Sequence, residues 1–234
     1  MHNNKGISVL LSFYHGKKFF SEQLQSIVKQ LSLNDELIIR DDGSGAEEFL
    51  KKSCTGSDLS RSMYIKKNIR IYSGKNIGVN KSFHELLKRA TNDVCVFCDQ
   101  DDVWTNTRLQ SVRDNYYSDL HFVNYSINNV RQLDVNFSPN IFRVLLRNYI
   151  PGCCMSGKKL FLIEAFEDIK NNVIYDHGLL FKSLIKKKNI TFDPGVRVLY
   201  RRHENTVTKI GSFIPNGILE ALRLRYSLLK FLRK

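Results

Sequence analysis

Apolar residues along the chain keep two different rhythms. Ile7-Ser8-Val9-Leu10-Leu11-Ser12, Glu36-Leu37-Ile38-Ile39-Arg40, Ile69-Arg70-Ile71-Tyr72 and Val94-Cys95-Val96-Phe97-Cys98 are short apolar runs bounded by polar clusters, as buried strands are. Phe20, Leu24, Ile27, Val28 and Leu31 instead fall at steps of three and four, as do Phe83, Leu86, Leu87 and Ala90 later. That is the period of a helix with one buried face. Strand and helix alternate through the first hundred residues, which predicts an α/β chain with a parallel sheet covered by helices on both faces. Ligands of such sheets bind beyond the carboxyl ends of the strands. Polar clusters stand at three of those ends: residues 12–16, residues 41–44 and residues 99–102. Three clusters on one rim describe a site.

The second half is less regular. Residues 105–150 mix short apolar runs with Asn-rich turns and resist assignment. Residues 150–155 read as a buried turn and strand, 175–187 as a helix and 196–200 as a late strand. From Gly217 onward, Ala221, Leu224, Leu228 and Phe231 make one stripe, and Arg223, Tyr226, Lys230 and Arg233 another. This predicts a basic amphipathic helix that lies on an anionic membrane surface, packs on the domain, or meets a second copy of the chain. No repeat is present, and no boundary precedes residue 213, so 1–212 is expected to be one domain and 213–234 its helical tail.

Charge sharpens this picture. Lys and Arg number 36 against 23 Asp and Glu, a net charge of +13. Residues 182–234 hold 13 basic and 3 acidic residues, so the excess sits in the last quarter. An anionic partner is expected there, with a plain solvated face as the alternative. Hydrophobic content of 42% with 25% charged residues excludes a disordered chain. No apolar run approaches the roughly 18–20 residues that span a bilayer, and the start lacks a signal-peptide core. The expectation is a cytoplasmic protein, peripheral on the inner membrane face if the tail docks. Five cysteines are an odd and poorly spaced set, read as reduced and structural. Cys95 and Cys98 point to opposite faces of a strand, so they share no metal.

Asp99-Gln100-Asp101-Asp102 is the sharpest chemical feature. Three carboxylates in four residues repel one another unless a cation neutralises them, and their hard oxygens suit Mg²⁺ or Mn²⁺. The plainer reading is an acidic loop that starts the next helix. Asp41-Asp42-Gly43-Ser44 reads equally as a turn, or as a fixed carboxylate for a base or a sugar hydroxyl.

Taken with Tyr14-His15-Gly16, Asn76-Ile77-Gly78, Val103-Trp104 and Tyr200-Arg201-Arg202-His203-Glu204-Asn205, these blocks resemble family-2 glycosyltransferases. The likeness is to bacterial rhamnosyltransferase-like members that build surface polysaccharides such as lipopolysaccharide or capsule, and it runs from about residue 7 to 211. It implies a GT-A fold, a Rossmann-like, mixed but mostly parallel sheet flanked by helices. Residues 1–104 would bind a nucleotide-diphosphate sugar and 105–212 a saccharide acceptor, often lipid-linked. Carried over by position, Ser12, Tyr14, Asp42, Asn76 and Asp99 would bind the nucleotide sugar. Asp101 would hold the metal, and Arg202 and His203 the diphosphate, with His203 a second metal ligand. Trp104 and Gly152 would border the acceptor, and Trp104 reads equally as a core anchor for the loop. Asp176 would be the catalytic base of an inverting displacement, and on its own also reads as an N-terminal helix cap. The implied cofactor is Mn²⁺ or Mg²⁺. An inactive GT-A domain serving as a carbohydrate-binding module is the alternative; a nucleic-acid partner is not expected, and a homo-oligomer is left open.

Overall fold

The computed structural model describes residues 5–55, 68–146, 148–169, 173–201 and 218–229. The four apolar runs of the first half are strands β1 (Ile7–Phe13), β2 (Glu36–Asp41), β3 (Asn68–Ser73) and β4 (Val94–Asp99). They pair in parallel in the spatial order β3-β2-β1-β4. Every residue of β2 is buried, and all of β1 except Ser12. A strand covered on both faces has no solvent side to fill with polar residues, hence the near-continuous apolar runs. β3 at the sheet edge is half-buried and keeps its alternation.

Helices α1 (Lys17–Val28), α2 (Glu47–Thr55) and α3 (Val79–Arg89) lie between these strands. α1 buries Phe20, Leu24, Ile27 and Val28. The helical period runs on to Leu31, yet the helix stops at Val28. Tighter bonds, from the Gln30 amide to the Ile27 carbonyl (2.9 Å) and from Leu31 to Val28 (3.3 Å), replace it there. Leu31 therefore stays buried without being helical.

The second half supplies β5 (Val103–Trp104), α4 (Arg108–Asp114), β6 (Leu120–Ile127), β7 (Val130–Arg131) and α5 (Ile141–Leu146). A 3₁₀ turn (Gly152–Cys154), β8 (Met155–Lys158), α6 (Lys159–Asp168), α7 (Tyr175–Ile185), β9 (Ile190–Leu199) and α8 (Ile218–Leu229) follow. The sheet continues from β4 through β8, β6, β9 and β5, with β8 antiparallel to both neighbours and β7 paired to β6. The fold is thus mixed α/β with a parallel first half. β9 begins earlier than residues 196–200 suggested, because a bulge at Pro194-Gly195 shifts its register against β6 and breaks the apolar pattern. α8 packs against α5 and buries Leu228, so one face of the tail helix is taken by the domain.

Candidate active site

The carboxyl ends of β1, β2 and β4 form one rim. Ser12 is in register with Arg40 on one side and Asp99 on the other. Asp42, two residues beyond Arg40, and Asp99 therefore lie on opposite sides of β1. The Ser12 hydroxyl shares a hydrogen bond with Ser82 of α3 (2.7 Å). Tyr14 is exposed just beyond. Gln100 grips its backbone from both sides: Oε1 accepts the Tyr14 N–H (2.6 Å), and Nε2 donates to the Tyr14 carbonyl (2.8 Å). The loops after β1 and β4 are thereby held as one piece.

Asp42 is buried, and its carboxylate accepts the Ile77 N–H (2.9 Å), the Gly78 N–H (3.0 Å) and the Arg40 guanidinium. It ties the Asn76-Ile77-Gly78 loop to the end of β2, and Asn76 Oδ1 adds a bond to the Gly78 N–H (3.1 Å). A carboxylate has roughly four acceptor positions, so about one remains for a ligand. Gly78 sits at φ +81°, a conformation that only glycine adopts freely, and starts α3. Asp41 instead accepts the Ser44 hydroxyl and the Ser44 and Ala46 amides, which draw its pKa below the usual carboxylate value despite burial.

The acidic tetrapeptide begins in the last residue of β4 and turns into the mouth. Donor atoms of Asp99, Asp102 and Cys153 all lie within 4.8 Å of one another. The Cys153 thiol beside them pulls both pKa values down, against larger effects of burial and charge. Burial, followed by the charges of Asp102, Asp101 and Asp176, holds the Asp99 pKa far above normal. Burial and then Asp101 raise Asp102 to about 7. Asp101 and Asp176 thus stand near enough to act on Asp99 through their charges. Asp102 is 1% exposed; its Oδ1 accepts the Arg201 N–H (3.0 Å), and its Oδ2 has no partner among the described residues. Crowded carboxylates with an orphaned buried oxygen fit a divalent cation. Asp101 flanks the trio, half-buried, rather than belonging to it. Arg202 and His203 lie outside the described residues.

Arg201 is turned to the acidic loop. Its guanidinium donates to the Asp101 and Asp102 carbonyls and pairs with Glu22 of α1. It brackets the acidic loop from behind.

Asp176 occupies the first turn of α7, not its cap. The helix begins at Tyr175, and the capping bonds come from α3: Asn80 Oδ1 accepts the Tyr175 N–H (2.9 Å) and Nδ2 donates to the Val173 carbonyl (2.7 Å). Asp176 Oδ1 accepts the His177 N–H (2.6 Å) and Oδ2 the Gly152 N–H (3.1 Å). Burial raises its pKa to about 6, against the pull of these amides and the Asn148 side chain. A Cβ on Gly152 would stand 1.8 Å from Tyr175 Oη, so only glycine lets this amide reach the carboxylate. Gly152 is itself buried, which makes it a support of Asp176 rather than an acceptor-facing surface. His177 is buried, and its Nε2–H donates to the Val144 carbonyl, joining α7 to α5.

Trp104 is also corrected. It is 1% exposed, its amide donates to Ser26 Oγ (3.1 Å), and the Arg108 guanidinium lies 5.5 Å over its ring. With no face open to a sugar, it anchors β5 in the core. Gln100, Asn80 and Cys153 are site residues that the sequence reading missed. Gln100 stood in plain view inside the motif. Nothing local marks Asn80, and Cys153 was read with the structural thiols; all five cysteines are buried and free.

The model of the family described as Glycosyl transferase family 2 matches residues 8–203. Among curated proteins, the chain is 29% identical over 212 residues to the dTDP-rhamnosyl transferase RfbG of Shigella flexneri, covering 83% of this chain and 72% of that one. It is 25% identical over 208 residues to the cholesterol galactosyltransferase of Borreliella burgdorferi, covering 82% of this chain and 54% of that protein. Among solved structures, S. aureus TarS 1–349 in complex with UDP-GlcNAc superposes with a TM-score of 0.67 at 17% identity, over 97% of this chain and 71% of that one. The mannosyltransferase PcManGT of Pyrobaculum calidifontis, in complex with GDP-Man and Mn²⁺, gives 0.66 at 14% identity, over 97% and 64%. These likenesses show the GT-A fold.

Proposed function

The chain belongs to glycosyl transferase family 2, and we propose that it moves a sugar from a nucleotide-diphosphate donor to a hydroxyl of a saccharide acceptor. The reading rests above all on the buried cluster of Asp99, Asp102 and Cys153 at the end of β4, with Asp101 and Asp176 near enough to act on Asp99 through their charges. Likeness to the dTDP-rhamnosyl transferase makes dTDP-rhamnose the first donor to test. The acceptor, in this reading, is a lipid-linked saccharide of surface polysaccharide synthesis.

The base and ribose lie across the ends of β1 and β2, beside Ser12, Tyr14, Asp42 and Asn76, with Asp99 at the ribose. Asp101, the half-buried acid beside the Asp99, Asp102 and Cys153 cluster, would hold the cation. A divalent ion there supplies a Lewis acid for the charge that grows on the leaving diphosphate. Asp176 takes the proton of the attacking hydroxyl from the opposite side of the sugar, so that a single displacement inverts the anomeric centre. The Gly152 and His177 amides fix both of its oxygens, leaving the carboxylate one orientation. Its pKa of about 6 keeps it ionised at neutral pH and basic enough to accept a proton.

The direct test is release of nucleoside diphosphate from a panel headed by dTDP-rhamnose, with Mn²⁺ or Mg²⁺ and with a chelator. Metal-dependent release that Asp101→Asn abolishes in a folded protein supports the reading. Release unaffected by chelation or by that substitution overturns the metal assignment.

A further inference from the structure

Two short helices near the mouth leave apolar side chains uncovered. On α5, Phe142 is 75% exposed and Leu146 54%, one helical turn apart and on the same face. α5 packs against α8, which buries Leu228 but exposes Tyr226 (59%) and Leu229 (42%). The Val144 carbonyl of α5 binds His177, the neighbour of Asp176, so α5 is tied to the helix that carries the proposed base. Large exposed side chains gathered on adjoining helices mark an interaction surface.

The charge around them selects the occupant. α5 carries Arg143 and no acidic residue, and α8 carries Arg223 and Arg225 against a single acid, Glu220. Arg143 and Arg223 are exposed on the same two helices. Two copies of a chain of net charge +13 repel through such faces, whereas an anionic bilayer attracts them. We propose that α5 and α8 together form a docking face for an anionic membrane surface, with Phe142, Leu146, Tyr226 and Leu229 entering the headgroup boundary and the arginines among the phosphates. In the transferase reading, docking brings the enzyme to the surface that holds a lipid-linked acceptor; the docking itself does not depend on that reading.

The test is flotation of the full chain with vesicles of phosphatidylglycerol and phosphatidylethanolamine, against vesicles of phosphatidylcholine alone. The chain is expected to float with the anionic vesicles only, and F142S/L146S to weaken partitioning by about 10- to 100-fold. Both positions are exposed, and an unchanged thermal transition verifies the fold of the variant. Leu160, 84% exposed at the opposite end of the sheet, provides the control: L160S should partition as wild type. Absence of flotation, equal flotation of F142S/L146S, or equal loss in L160S overturns the proposal. So does a concentration-dependent dimer in sedimentation that F142S/L146S abolishes, since the face then belongs to a second copy. Because flotation needs no donor, a negative result leaves the transfer reading standing, and failed transfer leaves the docking test intact.

Discussion

Each carboxylate at the mouth is set apart by what surrounds it. Asp176 is held by two backbone amides, so Asp176→Asn removes the proton acceptor and keeps only one of those two hydrogen bonds while preserving side-chain size. Transfer should fall by about 10²- to 10⁴-fold with donor affinity retained; parallel loss of donor binding in a calorimeter would contradict the base assignment. The rate with wild type should rise with pH to a plateau above an apparent pKa of about 6, and fall about tenfold per unit below it. Asp102 makes a different prediction. Its folded pKa of about 7 lies above its ordinary 3.8, so the native state binds the extra proton between those values. Its contribution to stability is therefore present at low pH and lost as pH rises toward 7. In a chelator, the melting temperature of wild type should drop relative to Asp102→Asn between pH 4 and 7, and a constant difference would refute the shift. Sequence distinguishes these acids poorly. Asp101 and Asp102 are neighbours of one type, and only the Arg201 amide, the Cys153 thiol and the depth of burial separate them.

Among elements, α7 shows how the site is assembled from distant chain. Its first turn is capped by Asn80 of α3 and steadied by Gly152 of the 3₁₀ turn. Asn80→Ala should cost about 1 kcal/mol, a fall in melting temperature of about 2–4 °C, and should lower kcat by loosening Asp176. Normal turnover in a destabilised variant would show the cap to be structural alone. The parallel strands were legible because burial on both faces demands apolar runs. β6 was not. It is buried too, but carries His121, bonded to Ser111 and Thr191, and Asn124, bonded to the Leu133 backbone on both sides. Buried polar groups with internal partners look like loop residues in a sequence, since their partners are not local. Trp104 misled for the opposite reason: a lone Trp beside an acidic motif suggests a ligand platform, and only packing reveals an anchor.

At the scale of the whole molecule, four chain segments meet at one mouth. β1 and β2 bring Ser12 and Asp42, β4 brings the acidic tetrapeptide, and α7 brings Asp176 from nearly eighty residues further on. No helix among the described residues is long and apolar enough to cross a membrane. The central claim is that this mouth takes a cation and a nucleotide diphosphate together. It is tested most directly by the thermal transition of the full chain with dTDP, UDP and GDP, each with and without Mn²⁺. One nucleotide should raise the transition in Mn²⁺ by several degrees, to about 2.7 kcal/mol of stabilisation at a hundredfold excess over Kd, with little effect of either component alone and none in Asp101→Asn. An unmoved transition with every nucleotide and metal, or an equal shift in Asp101→Asn, would contradict it.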